Sequence, residues 1–126
     1  MQIINLVIEK TENKFFGRIK FEDNLIVDDA NDVQTLEKNM KNLLKEFHDL
    51  NPADIRFEYK YDFSALFENF SFLNVAAIAE MSGMNVSLLR QYKNKVKFPS
   101  ARQAKKIEDT IHQIGRTLID VHILSK

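Results

Sequence analysis

The stretch IAEMSGMNVSLLRQYKNKVKFPS, residues 78–100, has apolar side chains at helical spacing, one glycine near its middle and no acidic residue after Glu80. Within it, Ala79, Gly83 and Leu89 lie at the spacing of two helices joined by a tight turn. A small side chain at Ala79 lets the helices approach closely, and Gly83 can adopt the positive φ that a sharp turn needs. The stretch therefore predicts two short helices held at a fixed angle.

Residues that commonly cap helices mark where each of these helices begins. Asn74 precedes VAAIAEMS, Asn85 precedes VSLLRQYKN, and Ser100 stands three residues before Gln103, the spacing of a capping box. The angle between the first two helices is expected to depend on an apolar wedge formed by Ile78, Met84, Leu89 and Tyr92. The pattern is that of a helix-turn-helix followed by a further helix from Ser100.

The second of these helices is predicted to project polar side chains away from the wedge. Arg90 and Gln91 carry the groups that can form two hydrogen bonds with a base edge. The lysines that follow stand where a recognition helix leaves the groove beside the phosphates. The predicted DNA-binding residues are Asn85, Val86, Ser87, Arg90, Gln91, Lys93, Asn94, Lys95 and Lys97. The alternative is an ordinary helical bundle with a basic face in solvent.

The chain carries 18 acidic and 18 basic residues but distributes them unevenly. Residues 1–62 contain 13 Asp/Glu against 9 Lys/Arg, whereas residues 63–126 contain 9 Lys/Arg against 5 Asp/Glu. Seven basic residues occur with no acid among them: Arg90, Lys93, Lys95, Lys97, Arg102, Lys105 and Lys106. This asymmetry predicts two domains with different partners, residues 1–62 and residues 63–126. The second is expected to begin with FSALFENFSFL as a helix capped by Ser64.

The first half has the periodicities of a small sheet with one helix. IINLVIEK, FFGRIKF and LIVDD predict three short antiparallel strands separated by polar turns. From Asp32 the period becomes helical, with one apolar face made of Val33, Leu36, Met40, Leu43, Leu44 and Phe47. IRFEYKYD then alternates again, with Ile55, Phe57, Tyr59 and Tyr61 on one side. The predicted fold class is α+β, a β-β-β-α-β unit followed by an all-α domain.

The sequence offers little to an enzyme or to a metal site. It has no cysteine, its three histidines lie far apart, and its three glycines form no Gly-rich phosphate loop. Four acids at predicted strand ends and at the helix start are interpreted as turn-forming and capping residues: Asp23, Asp28, Asp29 and Asp32. A carboxylate metal site of a nuclease is the alternative. We expect no enzymatic activity, no cofactor and no metal.

Nothing in the sequence predicts a secreted or membrane protein. The start MQIINLVIEK lacks the basic segment, long apolar core and cleavage site of a signal peptide. No run approaches the roughly 20 apolar residues that span a bilayer. The absence of cysteine suits a reducing compartment. We therefore expect a cytoplasmic protein without a membrane partner.

Residues 74–118 resemble the lambda-repressor-like (Cro-type) helix-turn-helix family. The matching positions are Ile78, Ala79, Gly83, Ser87, Leu89, Tyr92, Lys97, Pro99 and Ser100. The chain departs from the family at Val75, where a phosphate-contacting Gln is usual, and at Lys95, where a helix-ending Gly is common. Asn94 is expected to adopt the left-handed conformation in place of that Gly.

The first half resembles the HicB antitoxin fold through IEK, KFFGRIKF, LIVDDAND and VQTLEKNMKNLLKEF, with TLEKNMKNLL at residues 35–44 as the best local match. Together the two resemblances imply a transcriptional regulator of HicB-antitoxin type. Its second domain would bind operator DNA, and its first would neutralise a small basic HicA-like toxin ribonuclease through Asp23, Asp28 and Asp29. The alternative is a stand-alone or prophage-type repressor whose first domain only dimerises or senses a ligand.

Double-stranded DNA as a partner further implies a homodimer or a larger even oligomer, because one recognition helix reads only a few base pairs. Two interfaces are predicted as candidates: the exposed edges of the small antiparallel sheet, and the alternating residues Ile119, Val121 and Ile123. Whether residues 119–124 continue the last helix or form a strand stays open at this point.

Overall fold

The protein, a computed structural model that describes all of residues 1–126, divides into two compact units, Met1–Phe70 and Ser71–Lys126. The first unit contains a four-stranded sheet and two helices, and the second contains three helices, so the α+β class is confirmed. The strands are β1 (Gln2–Thr11), β2 (Lys14–Phe21), β3 (Asn24–Ala30) and β4 (Ile55–Tyr61). The helices are α1 (Val33–His48), α2 (Phe63–Asn69), α3 (Val75–Ser82), α4 (Val86–Lys93) and α5 (Ala101–Ile119).

The sheet has the strand order β3-β2-β1-β4 and is mixed. β1 and β3 both run antiparallel to β2, but β4 runs parallel to β1, with Ile4 beside Phe57. The prediction of an antiparallel sheet is therefore wrong for its last strand. The cause is α1, which joins β3 to β4 as the long crossover that parallel strands require.

Helix α1 begins where the sequence predicts, because the Asp32 carboxylate accepts a hydrogen bond from the Thr35 backbone N–H at 2.7 Å. The hydrogen bonds from Thr35 also lower the pKa of Asp32. Four residues of the predicted apolar face are buried against the sheet: Val33, Leu36, Met40 and Leu44. Phe47 is exposed instead, and the neighbouring His48 ring packs edge-on against Phe21 at 4.9 Å.

Close approach between α1 and β2 depends on Gly17. A Cβ atom at this position would lie 3.0 Å from Cδ2 of Leu36, whose side chain is fully buried. Gly17 sits on the inner face of β2 between the buried residues Phe15 and Ile19. The absence of a side chain at Gly17 therefore leaves the space that the Leu36 side chain occupies.

The side of β4 that faces the core is only partly buried. Ile55 and Phe57 are buried as predicted, whereas Tyr59 remains half-exposed and stacks on Tyr61 with the ring centroids 6.1 Å apart. Partial burial and a hydrogen bond with Glu37 raise the pKa of Tyr59 to about 12. The aromatic end of β4 thus contributes both to the core and to the surface.

Helix α2 belongs to the first unit, whose last residue, Phe70, lies eight residues beyond the end of the predicted domain at residue 62. Its N-cap is Asp62, not the predicted Ser64: the carboxylate accepts from the Ala65 N–H at 2.7 Å. The Asp62 N–H donates to the Ile8 carbonyl at 3.0 Å, and Ala65 is buried in the core of the sheet. These contacts attach α2 to β1, and the helix is therefore part of the first unit.

The second unit buries few side chains: Ile78, Ala79, Leu89, Tyr92, Ile107 and Thr110. Its long helix α5 begins at the predicted capping box of Ser100 and Gln103 and ends at Ile119, with Asp120 as C-cap. Residues 121–126 form neither helix nor strand, which answers the open question about this segment. None of the helices combines the length and apolar character that a bilayer crossing requires.

Candidate nucleic-acid interface

The predicted turn between α3 and α4 is present, and Gly83 is its left-handed residue, with φ of 70°. The Gly83 N–H donates to the Glu80 carbonyl, and the Met84 N–H donates to the Ala79 carbonyl at 2.8 Å. This pair of bonds is the Schellman pattern that ends a helix. The Asn85 side chain then accepts from the Ser87 N–H at 2.8 Å and starts α4. Backbone chemistry therefore sets the path of the chain from α3 into α4.

The apolar wedge is nearly as predicted. Ile78, Leu89 and Tyr92 are buried, and Met84 is half-buried. The Tyr92 hydroxyl donates to Oε1 of Gln103, the same side chain that takes part in the capping box of α5. Helix α4 is thereby tied to α5 as well as packed beside α3.

The face of α4 opposite this wedge is polar and exposed. Its centre is formed by Ser87, Arg90 and Asn94, which follow one another at helical spacing. Two predicted contacts, Val86 and Gln91, lie half-buried at the margins of this face. Asn85 is exposed, but its side-chain oxygen already serves as the cap of α4. Of the residues predicted on this face, Ser87, Arg90 and Asn94 are therefore the ones whose side chains are exposed.

The left-handed residue after α4 is Lys95, which has φ of 61°, whereas the C-cap Asn94 has φ of −88°. The expectation that Asn94 would be left-handed is wrong. The Asn94 N–H still forms a helical bond with the Arg90 carbonyl at 2.9 Å, so the reversal falls one residue later. There the Lys95 N–H reaches the Tyr92 carbonyl and the Val96 N–H reaches the Gln91 carbonyl, again a Schellman pattern.

Replacing Lys95 by glycine is expected to stabilise the protein. A residue with a Cβ costs about 1–2 kcal/mol in the left-handed region, whereas glycine adopts it freely. Lys95→Gly should therefore raise the free energy of unfolding by about 1 kcal/mol in urea denaturation. Lys93→Gly, inside the helix, is the matched control and should lower it by a similar amount. A Lys95→Gly variant less stable than the wild type would contradict this reading of the helix end.

Most of the predicted cations have no acidic partner. Arg90, Lys93, Lys97, Arg102 and Lys106 form no ion pair, and the first three are exposed on or just beyond α4. Lys105 differs, because it pairs with Asp109 at 2.9 Å and with Glu108 at 3.6 Å, which raises the pKa of Lys105. The second unit as a whole carries 9 Lys/Arg against 4 Asp/Glu.

Two apolar side chains that were not predicted as contacts lie among these cations. Val96 and Phe98 are largely exposed in the loop between α4 and α5, on either side of Lys97. The sequence signal that could have predicted this mixed apolar and basic surface is the alternation of Lys95, Val96, Lys97 and Phe98 directly after a helix end.

The acids of the first unit lie differently from the prediction. Asp28 and Asp29 are half-buried residues within β3, paired with Gly17 and Phe16 of β2, and not in exposed loops. Asp29 also forms an ion pair with Lys14 at 3.4 Å. Asp23 does lie in an exposed turn, at φ of 66°. No group of three or more acidic or histidine side chains is placed to hold a metal ion.

Comparison of the chain with models of protein families, with curated proteins and with solved structures found no match.

Proposed function

We propose that the protein is a DNA-binding transcriptional regulator that reads double-stranded DNA with α4. One observation carries the proposal: the exposed face of Ser87, Arg90 and Asn94 is flanked by cations that have no acidic partner within the protein. A cation without an acidic partner on a protein surface attracts the phosphates of DNA, and the contact releases counterions that were condensed on the DNA. Polar side chains beside such cations, on an exposed helix, can form hydrogen bonds with the edges of bases.

The roles of the side chains follow from their positions. Arg90, near the middle of the exposed face, would form a bidentate contact with a guanine edge. Lys93 and Lys97, at the end of α4 and beyond it, would contact phosphates. Phe98 would press on the sugar or base beside them. The first group sets sequence preference, and the second sets affinity for any duplex.

The lysine contacts are tested by the salt dependence of binding. Lys93→Ala combined with Lys97→Ala should weaken binding to every duplex and reduce the slope of log affinity against log salt concentration by about 2, one unit for each lost phosphate contact. The matched control is Lys38→Ala combined with Lys45→Ala, which removes two exposed lysines from α1 of the first unit. Fluorescence anisotropy with labelled duplex between low and moderate salt measures both slopes. Equal slopes for the two double variants would refute the proposal.

Assignment to the HicB-antitoxin type is part of the same proposal, with a small basic toxin ribonuclease as the protein partner of the first unit. Of the three acids predicted to face it, Asp23 lies in an exposed turn beside Glu22. Toxin binding stays a prediction, and co-purification of a small basic protein from the native host tests it. Without such a partner, the stand-alone repressor takes its place.

A further inference from the structure

One face of the four-stranded sheet is exposed, whereas α1 packs on the other. We call the exposed side the outer face; it consists of every second residue of 3–9, 14–20, 25–29 and 56–60. Neighbouring strands continue it without a gap, because Arg18 of β2 lies between Val27 of β3 and Val7 of β1. Val7 in turn lies beside Lys60 of β4. The outer face is therefore a continuous surface that spans all four strands.

The outer face is basic although the first unit is acidic. Residues 1–70 carry 9 Lys/Arg against 14 Asp/Glu. Five of these cations lie on the outer face, with only three of the acids: Lys14, Arg18, Lys20, Arg56 and Lys60 beside Glu9, Asp29 and Glu58. The cations of the unit are thus concentrated on one face, where their summed field attracts an anion.

Ion pairs within the outer face leave most of its cations without an acidic partner. Glu9 pairs with Arg18 at 2.6 Å. Asp29 pairs with Lys14 at 3.4 Å. The other three cations of the face are exposed and form no ion pair: Lys20, Arg56 and Lys60. An anionic partner would supply the charge that these three side chains lack.

Apolar side chains are exposed between the cations. Leu25 is 67% exposed and Ile3 is 57% exposed. Both line, together with Val7, a cleft of about 480 Å³ in the outer face, and every charged residue that lines this cleft is basic. Lys20 and Lys60 lie on the two strands that flank β1, so they stand on either side of the apolar floor. A partner that fits this surface carries both negative charge and flat apolar groups.

We infer that the outer face binds a single-stranded nucleic acid. Phosphates would contact Lys20, Arg56 and Lys60, and bases would pack on the apolar side chains between them and on the exposed ring of Phe16. Aromatic side chains accept bases of any sequence, because every base has a flat π face. In a duplex these faces are stacked on one another, so only an unpaired strand presents them. The inference goes beyond the proposed function, since it concerns the first unit and a different form of nucleic acid.

Fluorescence anisotropy of the full chain with labelled oligouridylate and oligothymidylate of about 12 nucleotides tests the phosphate contacts. Lys20→Ala combined with Lys60→Ala should weaken binding roughly tenfold and reduce the slope of log affinity against log salt concentration by about 1.4, since each phosphate contact with a single strand contributes about 0.7. Lys38→Ala combined with Lys45→Ala, on α1, is the matched control and should behave as the wild type. All four lysines are exposed, so both double variants should keep the wild-type circular dichroism spectrum.

The base contacts are tested by Phe16→Leu, which keeps an apolar side chain on β2 and removes the aromatic ring. This variant should weaken binding about fivefold without changing the salt slope, because stacking is lost and no phosphate contact is. Polyglutamate, which carries negative charge but no bases, should displace the labelled strand far less well than unlabelled oligonucleotide at equal charge. Equal displacement by the two competitors would overturn the inference and indicate an acidic protein as the partner.

The two sites are separated by comparing single strands with duplex. The Lys93/Lys97 double variant should bind single strands as the wild type does while losing duplex affinity, and the Lys20/Lys60 double variant should show the reverse. Single-strand binding that depends on Lys93 and Lys97 but not on Lys20 and Lys60 would overturn the inference and leave the proposed function in place. A chain that binds single strands through Lys20 and Lys60 but binds no duplex would keep the inference and remove the proposed function.

Discussion

Arg90→Ala is expected to reduce affinity for the operator by about 1–3 kcal/mol while leaving affinity for random duplex almost unchanged. Arg90 is exposed, forms no ion pair and lies between Ser87 and Asn94 on the outward face of α4. A bidentate contact with a base edge is lost when the guanidinium is removed, and it is formed only at the correct base. The substitution should therefore lower the ratio of operator affinity to random-duplex affinity.

The control for this prediction is Arg56→Ala, which removes an exposed arginine from β4 in the first unit and has the same effect on net charge. Selection of a binding site from a random duplex library supplies the operator, and anisotropy at fixed salt gives both affinities. Arg56→Ala should behave as the wild type. Equal losses on operator and random duplex for Arg90→Ala would show that Arg90 contacts phosphate and does not read bases.

Gly17→Val is expected to lower the free energy of unfolding of the first unit by about 1–3 kcal/mol, the usual cost of overpacking a core. Even a Cβ at this position lies 3.0 Å from the Leu36 side chain, and valine adds two further carbons on the same face of the sheet. Leu36 belongs to α1, and its side chain is fully buried. Urea denaturation followed by circular dichroism measures the loss.

Gly115→Ala is the matched control, because a Cβ at Gly115 meets no atom within 4 Å. Gly115 lies in the interior of α5, where alanine is favoured over glycine by about 0.5–1 kcal/mol. This variant should therefore be more stable than the wild type, the opposite sign from Gly17→Val. A Gly17→Val protein as stable as the wild type would mean that α1 can move away from β2 at little cost.

The starts of α3, α4 and α5 were predictable because the bonds that define them are local. Asn74, Asn85 and Ser100 each cap a helix through a backbone N–H two or three residues further along the chain. The positive φ of Gly83 follows in the same way from the turn between two adjacent helices. Helical periodicity predicted five side chains that project away from the buried wedge: Val86, Ser87, Arg90, Gln91 and Asn94. Ser87, Arg90 and Asn94 are exposed, whereas Val86 and Gln91 are half-buried.

Contacts between residues distant in the chain could not be predicted in this way, because periodicity shows which side of an element is apolar but not what covers it. The parallel pairing of β4 with β1 depends on where the crossover of α1 places the chain, and α2 belongs to the first unit because Asp62 and Ala65 contact β1. Coverage in space also determined that Phe98, before α5, and Leu118 and Ile119, at its end, are exposed, whereas Ile107 within α5 is buried. The sequence thus specified the elements, the N-caps of α3, α4 and α5, and the exposed centre of the α4 face, through interactions within a few residues. Strand direction, unit membership and exposed apolar surface depended on burial between segments far apart in the chain.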